Sequence, residues 1–211
     1  SGRKGLGVKA DDLLDRLEAK AGDEIAKRNP DLAPEERGRI AREIASGALR
    51  YFMLKFARNS VIVFDFEEAL SFEGETGPYL QYTAVRMASI FRKLKEREGV
   101  AEADIALPPP GGPLLPAGLT EQETADFWDL VLTAASLEEE VLRTAAALES
   151  SHLAKFAFLL CQKFNGYYHK YQVLAEEDKV IKAFRLLTIR FVKDQLHCAL
   201  GLMGIPPPER M

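Results

Sequence analysis

Apolar residues recur at helical spacing along most of the chain. Leu13, Leu14 and Leu17 form a short stripe that predicts a helix over 10–21, with Asp11 and Asp12 in the first turn, where carboxylates complement the helix dipole. Asn29-Pro30 and Ala33-Pro34 punctuate the chain. From Pro34 to Phe56, Ile40, Ile44, Ala48 and Phe52 repeat every four residues, and Ala41, Ala45 and Leu49 widen the buried face. Ser60 to Phe66, SVIVFDF, reads as the one strand, or as an extended segment, with a pairing partner available only near residues 5–9. Phe66 to Ser71 adds a helical turn.

The stretch from Glu73 to Lys93, EGETGPYLQYTAVRMASIFRK, joins a glycine turn to a helix. Gly74 and Gly77 tolerate turn geometry, and Pro78 has its φ already set for a first helical turn. Leu80, Ala84, Met87 and Phe91 then form the apolar side of a helix expected over 78–97. Tyr79, Gln81, Tyr82 and Arg86 stand near its entrance, where basic, aromatic and amide groups suit a phosphate backbone or an unstacked base. Residues 99–119, with five prolines and four glycines, form an extended connector. Thr120 with Glu123 and Ser136 with Glu139 read as capping boxes for two further helices. A long helix follows from Ser151 to about Val173. Glu176 to Asp178 open the last one, which runs to about Met203 with two apolar stripes: Val180, Phe184, Leu187 and Phe191, and Ile189, Val192, Leu196, Leu200 and Met203. Gly204 and three prolines stop it. The fold expected is all-α, a helical bundle of about six or seven helices.

Composition narrows the function classes. At 47% apolar and 28% charged, the chain is that of a soluble globular protein. A net charge of −4 argues against a protein that coats nucleic acid generally, but not against a local basic face. Residues 100–151 carry a single basic residue, Arg143, among many acids, whereas residues 152–211 are net basic. A polyanion should therefore avoid the middle of the chain and meet its ends. Cys161 and Cys198 sit in apolar helical patterns and read as buried thiols of a reducing compartment. Three scattered histidines and two cysteines make no metal-ligand pattern. No apolar run nears the ~20 residues that span a bilayer, and no signal peptide is recognisable, so the chain reads as cytoplasmic.

No nucleophile elbow, HExxH or cysteine–histidine spacing points to a complete active site. Two stretches carry binding chemistry instead. Phe164-Asn165-Gly166-Tyr167-Tyr168-His169-Lys170-Tyr171-Gln172 offers rings that stack on bases beside groups that read edges or phosphates. Part of it must be core, with Phe164, Tyr167 and Tyr171 the natural packing residues. In the last helix Lys182, Arg185 and Lys193 share one side, as a phosphate-tracking strip or a wet face.

Four stretches together resemble the C-terminal part of arginyl-tRNA synthetases. They are Gly74-x-Thr76-Gly77-Pro78-Tyr79-Leu80-Gln81-Tyr82-x-x-x-Arg86, Ala48-Leu49-Arg50-Tyr51-Phe52, Phe164-Asn165-x-Tyr167-Tyr168-His169, and Gly204-Ile205 with Pro208-Glu209-Arg210-Met211. The resemblance implies a helical anticodon-binding domain, of the type named for an Asp-Ala-Leu-Arg motif. Ser46-Gly47-Ala48-Leu49-Arg50 keeps only the last three letters. It further implies that Tyr168 and Met211 hold anticodon-loop bases and that Gly74 to Arg86 faces the anticodon arm. Ser1, Arg3 and Lys4 look like the second half of a class I Lys-Met-Ser-Lys-Ser loop, which acts on ATP with Mg2+ in a full-length ligase. On that basis residues 1–33 are a loop remnant and connecting helix, and 34–211 the anticodon-binding domain. The expected partner is arginine tRNA, with no DNA and no membrane. The chain alone is expected to bind no cofactor, to be a monomer, and to lack ligase activity. The residues expected on tRNA are Gly74, Gly77, Tyr79, Gln81, Tyr82, Arg86, Tyr168, Lys182, Arg185 and Met211. A helical protein–protein module that keeps the fold without tRNA is the alternative.

Overall fold

The computed structural model describes residues 9–28, 30–105 and 115–211. The loop residues Ser1, Arg3 and Lys4 and the centre of the proline-rich connector lie outside them. Eight α-helices are present among the described residues: α1 (Ala10–Arg28), α2 (Pro34–Leu54), α3 (Phe66–Leu70), α4 (Gly77–Glu98), α5 (Glu121–Ala135), α6 (Leu137–Ala147), α7 (Ser151–Lys170) and α8 (Lys179–Leu202). A 3-10 turn at Glu102–Asp104 follows α4.

The apolar periodicities become buried faces. α4 packs between α2 on one side and α7 and α8 on the other, and α5 and α6 cover the far side of α7. Leu80, Ala84, Met87, Leu160, Phe164, Ile189, Val192 and Leu196 meet in the main core. A smaller cluster of Ala21, Ile25, Ile40, Ala41 and Ile44 joins α1 to α2, so the expected boundary at residue 33 separates two helices that share a core. Of the two stripes on α8, the one from Ile189 to Met203 is buried, whereas Val180 is exposed and Phe184, Leu187 and Phe191 are half-buried.

Four expectations need correction. Residues 61–65 form no strand among the described residues, so of the two readings of this stretch the strand is the one that falls. Ile62 and Phe64 face inward, with Phe64 packed on Phe52 and Phe66, while Val61 and Val63 are exposed. The alternation is that of a strand, and a strand needs a partner. Ser136 does not cap α6, because its hydroxyl donates to the Thr133 carbonyl. Thr120 does accept from the Glu123 backbone N–H at 3.0 Å, but the Glu123 side chain serves an ion pair described below, so only half of the box exists. Cys161 is buried, and burial pushes its thiol pKa up, but Cys198 is exposed.

Candidate nucleic-acid interface

Thr76 starts α4. Its hydroxyl accepts from the Tyr79 N–H at 3.2 Å and donates to the Ser71 carbonyl at 2.6 Å. Gly74 adopts φ 78°, the left-handed conformation that glycine allows, and lies exposed in the loop. Gly77 has a different duty. A Cβ there would stand 2.4 Å from the Gly47 carbonyl oxygen, so its missing side chain lets α4 approach α2. Lys55 and Tyr51 complete the lock: the Lys55 ammonium donates to the Glu75 carbonyl, and the buried Tyr51 hydroxyl donates to the Ala154 carbonyl at 3.0 Å.

From this anchored start, α4 sends its side chains two ways. Gln81 is fully buried, and its Nε2 donates to the carbonyls of Glu43 (3.0 Å) and Pro206 (2.9 Å). Gln81 and Gly77 are therefore corrections: both build the fold and neither faces a ligand. Tyr79 is half-buried, its ring edge-on to Phe158 and its hydroxyl accepting from Asn165; burial raises its phenol pKa. Tyr82 and Arg86 reach a groove.

The groove has a volume of about 550 Å3 and is lined from three separate stretches of chain. α4 supplies Tyr82, Val85, Arg86, Ser89, Arg92 and Lys93. Tyr82, Arg86, Ser89 and Lys93 fall at i, i+4, i+7 and i+11, one face of the helix, opposite its apolar stripe. α7 supplies Asn165, Tyr168 and His169, and the C-terminal segment supplies Arg210 and Met211. Tyr168 stacks on the buried Phe164 with ring centroids 5.7 Å apart and planes 16° apart, which orients it. Its neighbours in sequence turn inward: Tyr167 is buried, and Tyr171 donates to Asp126.

The C-terminal segment reaches the groove by a defined route. Gly204 ends α8 in the left-handed region, and the Ile205 N–H returns to the Leu200 carbonyl at 2.9 Å. Ile205 and Pro208 are buried, and Gln81 holds Pro206. Glu209 turns to Arg39, leaving Arg210 on the groove. Met211 lines the groove and also packs against the α1–α2 cluster.

The electrostatics are one-sided. No Asp or Glu lines the groove, and Arg86, Arg92, Lys93 and Arg210 form no ion pair among the described residues. The basic side of α8 is the opposite case, and its assignment to tRNA is corrected. Arg185 is buried, meeting Glu123 at 2.6 and 2.9 Å, Glu176 at 2.6 Å and the Gln172 carbonyl at 2.7 Å. Lys182 pairs with Glu98, and Lys193 with Glu102. These cations are spent on their own protein.

Of the residues expected on tRNA, the structure thus gathers Tyr82, Arg86, Tyr168 and Met211 around one groove. Arg92, Lys93, Asn165, His169 and Arg210 join them; none was among the residues expected on tRNA, although Asn165 and His169 belong to the aromatic and polar stretch read as binding chemistry. The four-residue repeat from Tyr82 to Lys93 was the available signal for the α4 members.

A family model described as the DALR anticodon binding domain matches residues 80–211. The chain is 35% identical over 211 residues to an arginine–tRNA ligase of Phocaeicola vulgatus, covering 99% of this chain and 33% of that protein. It is also 35% identical to the arginine–tRNA ligase of Clostridium perfringens, covering 100% of this chain and 34% of that protein. It therefore spans about a third of the length of these curated relatives. Among solved structures it superimposes on Thermus thermophilus arginyl-tRNA synthetase with a TM-score of 0.79 at 32% identity, over 97% of this chain and 32% of that one. The Plasmodium falciparum arginyl-tRNA synthetase shares the fold, with a TM-score of 0.76 at 22% identity over 97% of this chain and 34% of that one. With a match that takes in α4 after its first turn, α5 to α8 and the C-terminal segment, the chain belongs to the DALR anticodon binding domain family.

Proposed function

We propose that the chain binds the anticodon arm of arginine tRNA in the groove between α4, α7 and the C-terminal segment, as part of an arginine–tRNA ligase. The observation that carries this reading is the set of cations without a carboxylate partner and of accessible tyrosines around one concave surface, in a chain whose α8 cations Lys182, Arg185 and Lys193 are matched by carboxylates. Phosphates would meet Arg86, Arg92, Lys93 and Arg210. A splayed base would stack on Tyr168 or Tyr82, with the apolar Met211 as a second wall. On this reading the protein works as a monomer in the cytoplasm. The ATP- and Mg2+-dependent step is carried out by parts of the ligase beyond this chain, so the chain alone should not exchange pyrophosphate with ATP.

The test is fluorescence anisotropy with arginine tRNA and an unrelated tRNA across a salt series. Tyr168→Ala is expected to weaken arginine-tRNA binding by about 1–3 kcal/mol, as loss of a base stack does. The unrelated tRNA should be affected far less. Equal losses for both would leave only electrostatics. Binding that ignores salt would favour a protein-interaction module instead.

A further inference from the structure

Arg86 is held differently from the other anchored arginine of the core, and the difference is functional. Its Nη1 donates to Asn165 Oδ1 at 2.8 Å and its Nη2 to the Tyr82 hydroxyl at 3.0 Å, while the guanidinium lies 4.9 Å from the Tyr82 ring centroid. Arg185, by contrast, is clamped by the carboxylates of Glu123 and Glu176. A carboxylate clamp fixes a guanidinium and cancels its charge. An amide fixes it and leaves the charge whole.

The direction of the Asn165 amide is itself determined. Thr83 spends its hydroxyl proton on the Tyr79 carbonyl at 2.9 Å, so towards Asn165 it can only accept. Asn165 Nδ2 donates to Thr83 Oγ1 at 3.1 Å and to the Tyr79 hydroxyl at 3.0 Å. Both amide hydrogens are then used on α4, and Oδ1 must face Arg86. Thr83 is fully buried and Tyr79 is wedged against Phe158, so this chain of donors starts from a rigid base. Its sense runs one way, from the Arg86 cation through the amide and the hydroxyl to a backbone carbonyl.

We propose that Asn165 is a positioning residue of the groove: by orienting Arg86 through a neutral amide it presents an undiminished, preorganised guanidinium to a phosphate or base edge of the bound RNA. The inference rests on the RNA reading of the groove and specifies how that site is built. Asn165 acts through Arg86, not by touching the RNA.

Three measurements on this chain separate the possibilities. The first needs no RNA: in nitrogen-15 NMR of the free protein, the Arg86 side chain should show restricted guanidinium rotation that is lost in Asn165→Leu. Rotation that is unrestricted in the wild type overturns the proposal. The second is binding of an RNA hairpin copying an arginine anticodon stem-loop. Asn165→Leu should weaken it about tenfold in the wild-type background and not at all in Arg86→Ala. Equal losses in both backgrounds overturn the positioning role, while an Arg86→Ala protein that binds as well as wild type overturns the RNA reading itself. The third is Asn165→Asp, which keeps the shape and the acceptor but adds the cancelling charge. It should lower the log–log salt slope by roughly one contact, as Arg86→Ala does. An unchanged slope in Asn165→Asp contradicts the charge argument. Should Asn165→Leu fail to fold, Thr83→Val removes one anchor of the amide from inside the core and should reproduce a weaker form of both effects.

Discussion

A methyl group at Gly77 would lie 2.4 Å from the Gly47 carbonyl oxygen and 2.9 Å from the Ala48 Cα, both backbone atoms that cannot step aside. Gly77→Ala should therefore destabilise the chain by about 1–3 kcal/mol, as overpacking does, and thermal unfolding would show it. Gly74→Ala should cost less, because it meets no atom and suffers only its positive φ. Equal melting points for the two variants would contradict this account. The sequence shows that both positions are glycine and lie in a turn. It cannot show that one of them faces a second helix, since Gly47 is distant along the chain. Gln81 was opaque for the same reason. A polar residue beside tyrosines reads as exposed, yet two backbone carbonyls from different elements take up both hydrogens of its amide in the core. Tyr82 and Arg86 were legible because each is an amphipathic or charged residue on a helix face that the apolar stripe leaves free, whereas Tyr168, one turn beyond Phe164, was expected on tRNA from the family resemblance. Nothing local could show that they meet.

At the scale of elements, periodicity located the long helices, because a buried stripe is a property of one segment alone. Caps were legible only where no better partner existed. Asp178 bonds the N–H groups of Val180 and Ile181 as an N-cap acid should, while Ser136 found a carbonyl one turn back. What joins the elements was not legible, and the brace between α5 and α7 is an example. Asp126 receives Lys170 at 2.7 Å and the Tyr171 hydroxyl at 2.8 Å, fixing the end of α7 that carries Tyr168 and His169. The hydrogen bond from Lys170, above all, holds the Asp126 carboxyl below its ordinary value of 3.8, while the carboxylate pushes the Tyr171 phenol, already raised by burial, up to about 12. A carboxylate whose folded pKa is depressed contributes stability that is present above its unfolded pKa and lost as pH falls through the folded one. Urea unfolding of wild type and Asp126→Asn should thus differ by a constant amount from about pH 5 to 7, and the difference should shrink as pH falls below the carboxyl's ordinary value of 3.8. A difference that persists in acid would mean that the brace works by packing and not by charge.

Over the whole molecule, the uneven charge of the sequence has a spatial meaning. The acidic middle of the chain lies over the basic end and neutralises it. Glu123 takes Arg185, Asp126 takes Lys170, Asp129 takes Lys163 and Glu102 takes Lys193. Segregation of charge was readable from composition, but which cations would remain free was not, because that depends on which helices touch. α8 looked like the phosphate strip and proves to be the counter-charge of carboxylates at the end of α4, in the 3-10 turn after it and on α5. Among the cations left without a carboxylate, Arg86, Arg92, Lys93 and Arg210 are the ones gathered around the groove. This partition makes a sharp prediction about two lysines with similar numbers and opposite duties. Lys93→Gln, on the groove, should weaken RNA binding and lower the log–log salt slope by about 0.7–0.9, with little change in melting temperature. Lys193→Gln, which breaks the pair with Glu102 beneath the Phe91 ring, should lower the melting temperature and leave both the affinity and the slope as they were. The two proteins can be compared in one anisotropy titration series and one calorimetric scan each. If the slope fell equally in both, RNA would be tracking the net charge of the surface, and the groove would have no privileged part in binding.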